Sequence, residues 1–296
     1  MTLTPATLGF AAAGDGWQKT LGDTPFTFRE LQTADEMAPL LDLQRAVWRM
    51  DDVDVVPLHE LMTVPDTGGI VLGAWRAGEP ELAGFLFGWG GFVDGRPRLA
   101  SDMMGVRPGA RHAGLGFALK SLQAALALAR GYRQIVWTVD PLRAANARLN
   151  FAKLGAICHI YHRSHYGSTF ATDFYGDMPA DNLAIDWPIA SARVVARLTG
   201  RAAAPTFAAC ADLPLLAPGD RPTGERLLIE LPADIDTLLK RDPAAALDWR
   251  LRVRAAVEAA FAQGYAITDA VFARGTGADR AFFVLDRAGW RDWTAR

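Results

Sequence analysis

The sequence predicts a mixed α/β fold, in which helices flank a sheet of parallel and antiparallel strands. Short apolar or alternating runs, typical of strands, occur between longer stretches with helical periodicity. A long helical pattern at about residues 114–130 lies between two strand patterns, which is the order of a strand–helix–strand unit. Half of the 296 residues are hydrophobic, so the chain can bury a substantial core.

The amino-terminal half reads as an arm followed by strands and helices. Residues 1–24 are rich in Gly, Thr and Ala without periodicity, and they are predicted as a loose arm. Strands are predicted at 26–31, 69–75, 82–89 and 97–106. Helices are predicted at 35–48, 57–62 and about 114–130, with Asp35 as the first cap and Gly131 ending the last.

The remaining elements predict one domain over residues 25–190 and a C-terminal α+β extension over 191–296. The last elements of the domain are strands at 134–139, 156–161 and 183–187, a helix at 144–154 and a long loop at 164–182. Composition shifts at 202–224, after which strands at 226–231, 265–272 and 281–285 surround a helix at 243–263. The extension resembles a degenerate second half of the same domain.

Charge, cysteine content and hydropathy exclude several classes of function. The net charge of −2 argues against nucleic-acid binding, and no uncharged apolar run is long enough for a membrane span. The two cysteines, Cys158 and Cys210, are predicted to be free thiols. The N-terminus lacks the pattern of a signal peptide, so we expect a cytoplasmic protein. His159, His162 and His165 recur every third residue, but strand alternation separates the first two, so no metal site is predicted.

A glycine turn at Arg111–Gly116 carries the strongest chemical signal. It lies between a strand that ends at Val106 and a long helix. A pyrophosphate needs converging N–H donors, and the first turn of a helix supplies them because those groups have no internal partner. The glycines let the backbone approach the anion, and Arg111 adds positive charge. The pattern matches neither a P-loop nor a dinucleotide fingerprint.

The same residues resemble the GNAT superfamily of acyl-coenzyme A N-acyltransferases. The resemblance rests on Val106, Pro108, Arg111, Gly114 and Gly116, with His112 standing where a glycine is common. A second matching stretch runs through Ile135–Val139, Ala147 and Phe151–Gly155. The sequences DPLRAANARLNFAKLGA and FYGDM are similar to an uncharacterised bacterial branch that has a C-terminal extension. This resemblance implies acetyl-CoA or succinyl-CoA as donor and a small-molecule amine, such as that of an amino acid, as acceptor.

The resemblance also implies which residues hold the coenzyme. A splayed strand end at Met104, Gly105 and Val106 would supply the backbone donor for the oxyanion. Asn146 and Asn150, one turn apart on one helix, would contact the pantetheine or phosphate arm. The pyrophosphate itself would lie on Arg111, His112, Ala113, Gly114, Leu115 and Gly116. Lys120 could also reach a phosphate, but a solvated helix face is the favoured interpretation of this residue.

The catalytic groups are less clearly marked. Asp102, in the strand before the glycine turn, is the candidate base, with an ordinary ion pair as the alternative. Many GNAT enzymes have a tyrosine as the acid for the leaving thiolate where this chain has Phe151, which has no proton to donate. Tyr161, Tyr166 or one of the three histidines is then the candidate acid. If none acts, the thiolate leaves without an acid or activity is lost.

The acceptor is expected to bind between two loops. In GNAT folds the loop between the last two strands lines the acceptor pocket, and here it carries Tyr166, Tyr175 and Asp177. The first helix and the loop after it form the opposite wall, with Trp48, Arg49 and His59 as candidates. An arginine there would suit an acceptor carboxylate.

Three functional hypotheses remain open from the sequence. The first is N-acyl transfer to a small metabolite, with an extension that covers the acceptor side or mediates a homodimer. The second is a non-catalytic acyl-CoA-binding or regulatory protein, for which Phe151 argues. The third is a structural role for a degenerate tandem fold whose glycine turn binds nothing.

Overall fold

The computed structural model describes residues 2–48, 52, 54–111, 114–167, 178–273, 275 and 279–294. Contacts divide the chain into two compact units, Met1–Val136 and Trp137–Arg296. The division falls inside one strand. The domain boundary that the sequence predicts near residue 190 therefore stays a prediction. None of the described helices has the length and apolar character that a membrane crossing requires.

The first unit is built on a sheet whose order follows the chain, β1-β2-β3-β4-β5-β6-β7. Neighbours are antiparallel except β6 and β7, which pair in parallel at Leu99–Ile135 and Ala100–Val136. The strands are β1 (Ala11–Ala13), β2 (Gly16–Leu21), β3 (Thr24–Glu30), β4 (Ile70–Arg76), β5 (Leu82–Val93), β6 (Arg96–Val106) and β7 (Ile135–Val139), the last of which runs into the second unit.

The predicted loose arm at residues 1–24 is wrong over most of its length. A 3₁₀ turn at Ala6–Leu8 leads into β1 and β2, and β2 pairs with β3 from Trp17 to Leu21. Lys19 bonds the carbonyl of Leu8 at 2.5 Å. Strand pairing satisfies the backbone here without a strong hydrophobic alternation, which is why the sequence pattern did not reveal it.

Four helices are described in the first unit: α1 (Ala34–Met37), α2 (Pro39–Trp48), α3 (Leu58–Asp66) and α4 (Leu115–Ala129). The predicted helix from Asp35 to Trp48 is two helices, because Pro39 lacks an N–H and opens a new one. Its cap is Thr33, which forms a capping box with Glu36 rather than using Asp35. Buried apolar side chains of α1–α3 and β4–β5 pack into one core cluster.

The second unit contains the rest of the sheet, in the order β7-β9-β8-β11-β12-β10. Its strands beyond β7 are β8 (Ile157–His162), β9 (Asn182–Trp187), β10 (Arg226–Leu231), β11 (Ala266–Ala273) and β12 (Arg280–Asp286). Its described helices are α5 (Ala144–Ala147), a π-helical turn (Arg148–Lys153), α6 (Ala192–Leu198), α7 (Ile235–Arg241), α8 (Pro243–Ala262) and α9 (Arg291–Thr294). Short 3₁₀ turns lie at Pro108–Ala110 in the first unit and Ala208–Cys210 in the second.

The second unit repeats one topology twice. In chain order, β7 is followed by a helical segment, β8 and β9, and these strands lie side by side in the order β7-β9-β8. In the same way, β10 is followed by helices, β11 and β12, and these strands lie in the order β10-β12-β11. The two halves meet where β8 pairs antiparallel with β11 at Cys158 and Ile267. Each half also has a bulge at the third residue of the strand that follows its helices in the chain, at His159 of β8 and Thr268 of β11. These shared features support the prediction that the extension is a degenerate second half-domain.

Candidate functional site

The glycine turn of the first unit joins β6 to α4. After Val106 the chain makes a 3₁₀ turn at Pro108–Ala110, and Gly114 caps α4 with φ 87°. That left-handed backbone favours glycine, because a Cβ would clash with the chain's own backbone. His112 and Ala113, predicted to contact the pyrophosphate, lie outside the described residues.

The space in front of this turn suits an anion. Apart from the backbone of its own chain neighbours, a Cβ built on Gly114 would have no atom within 4 Å among the described residues, so the turn opens outward. Leu115 and Gly116 follow in the first turn of α4, where a helix offers its N–H groups no internal acceptor. The exposed Arg111 bonds the carbonyl of Val106 through Nε at 3.2 Å, which holds its charge beside the turn. The residues therefore fit a pyrophosphate.

A β-bulge in β6 sets the position of Asp102. Phe87 of β5 pairs with Met103 and Gly88 pairs with Ser101, so Asp102 is the extra residue of the bulge. A Cβ on Gly88 would lie 2.8 Å from the Cα of Ser101, so only glycine allows this close approach. Partial burial raises the pKa of Asp102, although the side chain remains open to solvent. A carboxyl with a raised pKa is a stronger base once it is ionised.

Beyond the bulge, the backbone of β6 offers donors on the side away from β5. Arg107 donates its N–H to the carbonyl of Ala83 in β5 at 2.9 Å. Because N–H directions alternate along a strand, Gly105 also faces β5, whereas Met104 and Val106 point their N–H groups the other way. Of the three predicted residues, Met104 and Val106 are thus the ones that suit an oxyanion.

Trp48 lies at the same end of β6. Its ring meets Phe85 edge to face with centroids 5.9 Å apart, and a Cβ on Gly105 would be 3.2 Å from the indole. His59, by contrast, is on the surface of α3, 80% exposed and 3.6 Å from Glu60. Arg49 lies outside the described residues. The structure therefore brings Trp48, but not His59, to the end of β6.

The suggestion that Lys120 reaches a phosphate or lies on a solvated helix face is wrong. Its side chain is buried, and Nζ bonds Ser101 Oγ on β6 at 2.9 Å. Burial lowers the pKa of Lys120 to about 7. Sequence reasoning missed this contact, although Lys120 stands among apolar residues of α4, a pattern that points to a buried face.

In the second unit, the predicted helix at 144–154 changes type halfway. Asn146 lies in α5, partly buried, and Asn150 lies in the π-helical turn, where it is 3% exposed. Residues four apart come close to one full turn at either helical spacing, so the shared face of Asn146 and Asn150 stays a prediction. Phe151 is fully buried, and its ring packs edge-on against Phe283 at 5.5 Å.

Tyr161 and Tyr166 have very different surroundings. Tyr161 donates its hydroxyl to Asp181 at 2.7 Å, and burial together with this bond raises its pKa. Tyr166 is 46% exposed, and its hydroxyl lies 2.6 Å from Thr138 Oγ1 near the end of β7. Thr138 was not singled out from the sequence, where it is the one polar residue in the strand IVWTV. Tyr175 and Asp177 lie outside the described residues.

The histidines do not form a metal site in the described part of the chain. No group of three or more His, Cys, Asp or Glu side chains there could hold an ion. His159 stacks on Trp290 with centroids 4.7 Å apart, and His162 packs against His165 at 4.6 Å. His165 in turn contacts Tyr166 edge to face. Burial, and secondly the neighbouring His165, lower the pKa of His162.

A cavity of about 320 Å³ lies elsewhere in the first unit, between α2 and the β4–β5 turn. Asp42, Trp75 and Arg107 are among its lining residues. No residue predicted for the coenzyme, the base or the acceptor lines it among the described residues. The glycine turn and the end of β6, rather than this cavity, therefore carry the predicted chemistry of the first unit.

Solved structures that the chain resembles include acetyltransferases. One is the ribosomal-protein-S18-alanine N-acetyltransferase from Escherichia coli, with 17% identity, a TM-score of 0.45, and coverage of 56% of this chain and 96% of that chain. Another, from Salmonella typhimurium, was solved with its cofactor acetyl-CoA, with 19% identity, a TM-score of 0.44 and coverage of 55% and 94%. A GNAT-family acetyltransferase from Streptococcus pneumoniae has 18% identity, a TM-score of 0.42 and coverage of 54% and 97%. No family model and no curated protein matches the sequence.

The chain has a mixed α/β fold, with a large mixed sheet and several helices, as the sequence predicts. In the first unit, β6 leads through a glycine turn into α4 and then into the parallel strand β7. In the second unit, β7, a helical segment, β8 and β9 follow in the order β7-β9-β8. The alignments with the three solved structures cover 54–56% of the chain.

Proposed function

We propose that this protein is an acyl-CoA-dependent N-acyltransferase that moves an acetyl or succinyl group to the amine of a small metabolite, with amino acids as the first acceptor class to test. One observation carries the proposal. The bulged strand β6 ends in a turn where Gly114, with φ 87°, caps α4, and apart from its chain neighbours no described atom lies within 4 Å of a Cβ built there. That arrangement fits a pyrophosphate and places a carboxyl, Asp102, on the same strand.

In this proposal the first unit holds the coenzyme and removes the proton. N–H groups at the start of α4 and Arg111 bind the pyrophosphate. Asp102 accepts the proton of the attacking amine, directly or through water. The N–H groups of Met104 and Val106 stabilise the negative oxygen that forms as the amine attacks the thioester carbon, and such donors are typically worth a few kcal/mol. The coenzyme supplies the activated acyl group.

The proposal assigns protonation of the leaving thiolate to Tyr166. Tyr161 is the weaker candidate, because its proton is already donated to a buried carboxylate and its pKa is raised. Tyr166 is accessible and hydrogen-bonded to a neutral hydroxyl, that of Thr138. Phe151 is packed into the core, so it takes no part. That packing also favours the second candidate function, a non-catalytic acyl-CoA-binding or regulatory protein.

Titration and turnover together separate the two candidate functions. Purified protein would be titrated calorimetrically with acetyl-CoA and with succinyl-CoA, and thiol release would then be followed on addition of a panel of amino acids. We expect binding followed by amine-dependent thiol release. Binding without thiol release for any amine would support the regulatory candidate, and no binding of either thioester to folded protein would reject both.

Replacing Asp102 with asparagine should lower amine-dependent thiol release by about 100-fold or more, which is the usual contribution of a positioned base. The substitution keeps the size of the side chain and removes its ability to take a proton. The measurement is kcat/KM for the amine at saturating acyl-CoA, with calorimetric binding of acetyl-CoA as a check that the coenzyme site is intact.

The stability of the same variant supplies its control. Because burial raises the pKa of Asp102 in the folded state, ionisation costs the native protein stability as pH rises above the ordinary carboxyl range. Asp102→Asn should therefore unfold at higher urea concentration than wild type near neutral pH, and the difference should shrink toward about pH 4. A variant that is inactive and also less stable would contradict the assignment, because misfolding would then explain the loss.

A further inference from the structure

Helix α8 of the extension carries a stripe of three charged residues that face the ends of three strands. Arg250, Arg254 and Glu258 are spaced four residues apart, so they lie on one side of the helix. Their partners are Asp140 after β7, Asp181 before β9 and Arg163 after β8. Asp181 and Arg163 lie at the same end of the β8–β9 pair, because β9 runs antiparallel to β8, and Asp140 contacts the same helix through Arg250.

Each of the three contacts is a bidentate ion pair, in which the guanidinium donates two hydrogen bonds to one carboxylate. Arg250 bonds both oxygens of Asp140 at 2.9 and 3.0 Å, and Arg254 bonds both oxygens of Asp181 at 2.7 and 2.8 Å. Glu258 receives two bonds from the guanidinium of Arg163 at 2.6 and 2.5 Å. Paired bonds of this kind fix orientation as well as distance.

Burial decreases along the stripe from Arg250 to Glu258. The Arg250 and Asp140 side chains are 0% and 2% exposed, whereas Arg163 and Glu258 are 64% and 30% exposed. The inner pair, Arg250 with Asp140, is therefore part of the buried core. The outer pair, Arg163 with Glu258, can be changed without leaving a fully buried charge.

The outer two pairs hold both sides of the turn that carries Tyr166. Arg163 begins this turn, and Asp181 accepts the backbone N–H of Ser164 at 3.0 Å. His165 also donates its N–H to the carbonyl of Ala180, next to Asp181. The turn then presents the Tyr166 hydroxyl to Thr138.

We infer that Arg254 and Glu258 of α8 are positioning residues for Tyr166, so that the extension takes part in the reaction by ordering the turn at 163–166. This inference rests on the proposed function, in which Tyr166 protonates the thiolate. Neither α8 residue touches the reacting atoms. Their effect is transmitted through Arg163 and Asp181, which fix where the hydroxyl of Tyr166 lies.

The test uses the outer pair, because its loss should leave the fold intact. Glu258→Gln and Arg163→Gln would each be compared with the charge-reversed double variant Arg163→Glu/Glu258→Arg, which can restore the pair. The matched control is Arg280→Gln. This substitution breaks the bidentate pair of Arg280 on β12 with Glu230 on β10, whose two hydrogen bonds are 2.6 and 3.0 Å long. The side chains of Arg280 and Glu230 are 48% and 27% exposed, which is similar to the exposure of Arg163 and Glu258.

Two readouts are needed. Amide hydrogen exchange over residues 162–167 reports the order of the turn without any turnover, and kcat for thiol release reports the position of Tyr166. We expect Glu258→Gln and Arg163→Gln to speed exchange and to lower kcat, each by about fivefold, with unchanged calorimetric binding of acetyl-CoA. The reversed pair should recover both quantities, and Arg280→Gln should change neither. In a Tyr166→Phe background, Glu258→Gln should lower kcat no further.

Unchanged exchange over 162–167 in Glu258→Gln would overturn the inference. So would faster exchange with wild-type kcat, because the order of the turn would then be irrelevant to the reaction. If wild type releases no thiol with any amine, the proposed function fails, and with it the role of Tyr166. The exchange result would still show separately whether the stripe orders this turn.

Discussion

Replacing Gly114 with glutamate should weaken the binding of acetyl-CoA by at least about 100-fold, or about 3 kcal/mol. Two effects add. A side chain at φ 87° strains the backbone by about 1–2 kcal/mol, which disturbs the turn that aims the N–H groups. The new carboxylate would also point into the open space where the pyrophosphate is proposed to lie, so like charges would repel. Calorimetric titration measures the loss directly.

The opposite end of the same helix offers a matched control. Gly131 follows α4 with φ 89°, and a Cβ there would also meet no described atom within 4 Å. Gly131→Glu therefore introduces similar strain and the same charge far from the turn. We expect both variants to lose similar stability in urea, but only Gly114→Glu to lose acetyl-CoA binding. Equal binding by the two variants would remove the coenzyme from the turn at Arg111–Gly116.

The sequence predicts the coenzyme side of the fold well because its requirements are local. A left-handed turn needs glycine, a helix start needs unbonded N–H groups, and the strand before it needs apolar residues. Gly114, α4 and β6 satisfy these in one continuous stretch. The resemblance to GNAT enzymes depends on the same stretch, and the mixed α/β fold class that the sequence predicts is confirmed.

Features that depend on partners distant in sequence could not be predicted in the same way. The bulge that places Asp102 requires Gly88 on the neighbouring strand to tolerate the close approach. The burial of Lys120 requires Ser101 to face it. Neither pairing follows from the spacing of residues along one element. Strand β2 was missed for the same reason, since its pairing with β3 defines it more than its own pattern does.

The π-helical turn shows that the presence of a helix is easier to predict than its type. A helix at 144–154 is predicted, and helical residues are found there. The bond from the Leu154 N–H to the carbonyl of Leu149 spans five residues, so this part of the helix is wider than an α-helix. The spacing of residues in the sequence does not distinguish the two types, because residues four apart remain near one another in both.

The largest effect on stability is expected at the inner end of the α8 stripe. Arg250→Met should lower the free energy of unfolding by about 3–5 kcal/mol, because the buried carboxylate of Asp140 then keeps only the more distant Arg143, at 3.8 Å, as a described cationic partner. Arg252→Ala on the same helix is the control. Its side chain is 51% exposed, pairs with Asp248 at 3.6 Å and lies over the Trp249 ring at 5.1 Å, so its loss should cost about 1 kcal/mol or less. Urea unfolding of both variants at neutral pH gives the comparison.

A double variant identifies the cause of that loss. Arg250→Met/Asp140→Asn removes the buried charge but keeps a side-chain oxygen for the N–H of Leu142, which Asp140 accepts at 2.8 Å in the native protein. We expect it to recover about 2 kcal/mol or more relative to Arg250→Met alone, since a buried charge that has lost its bidentate partner is the costly state. If the double variant were as unstable as the single one, lost packing of the long arginine side chain would be the cause instead. The inner pair would then stabilise the unit through its volume rather than its charge.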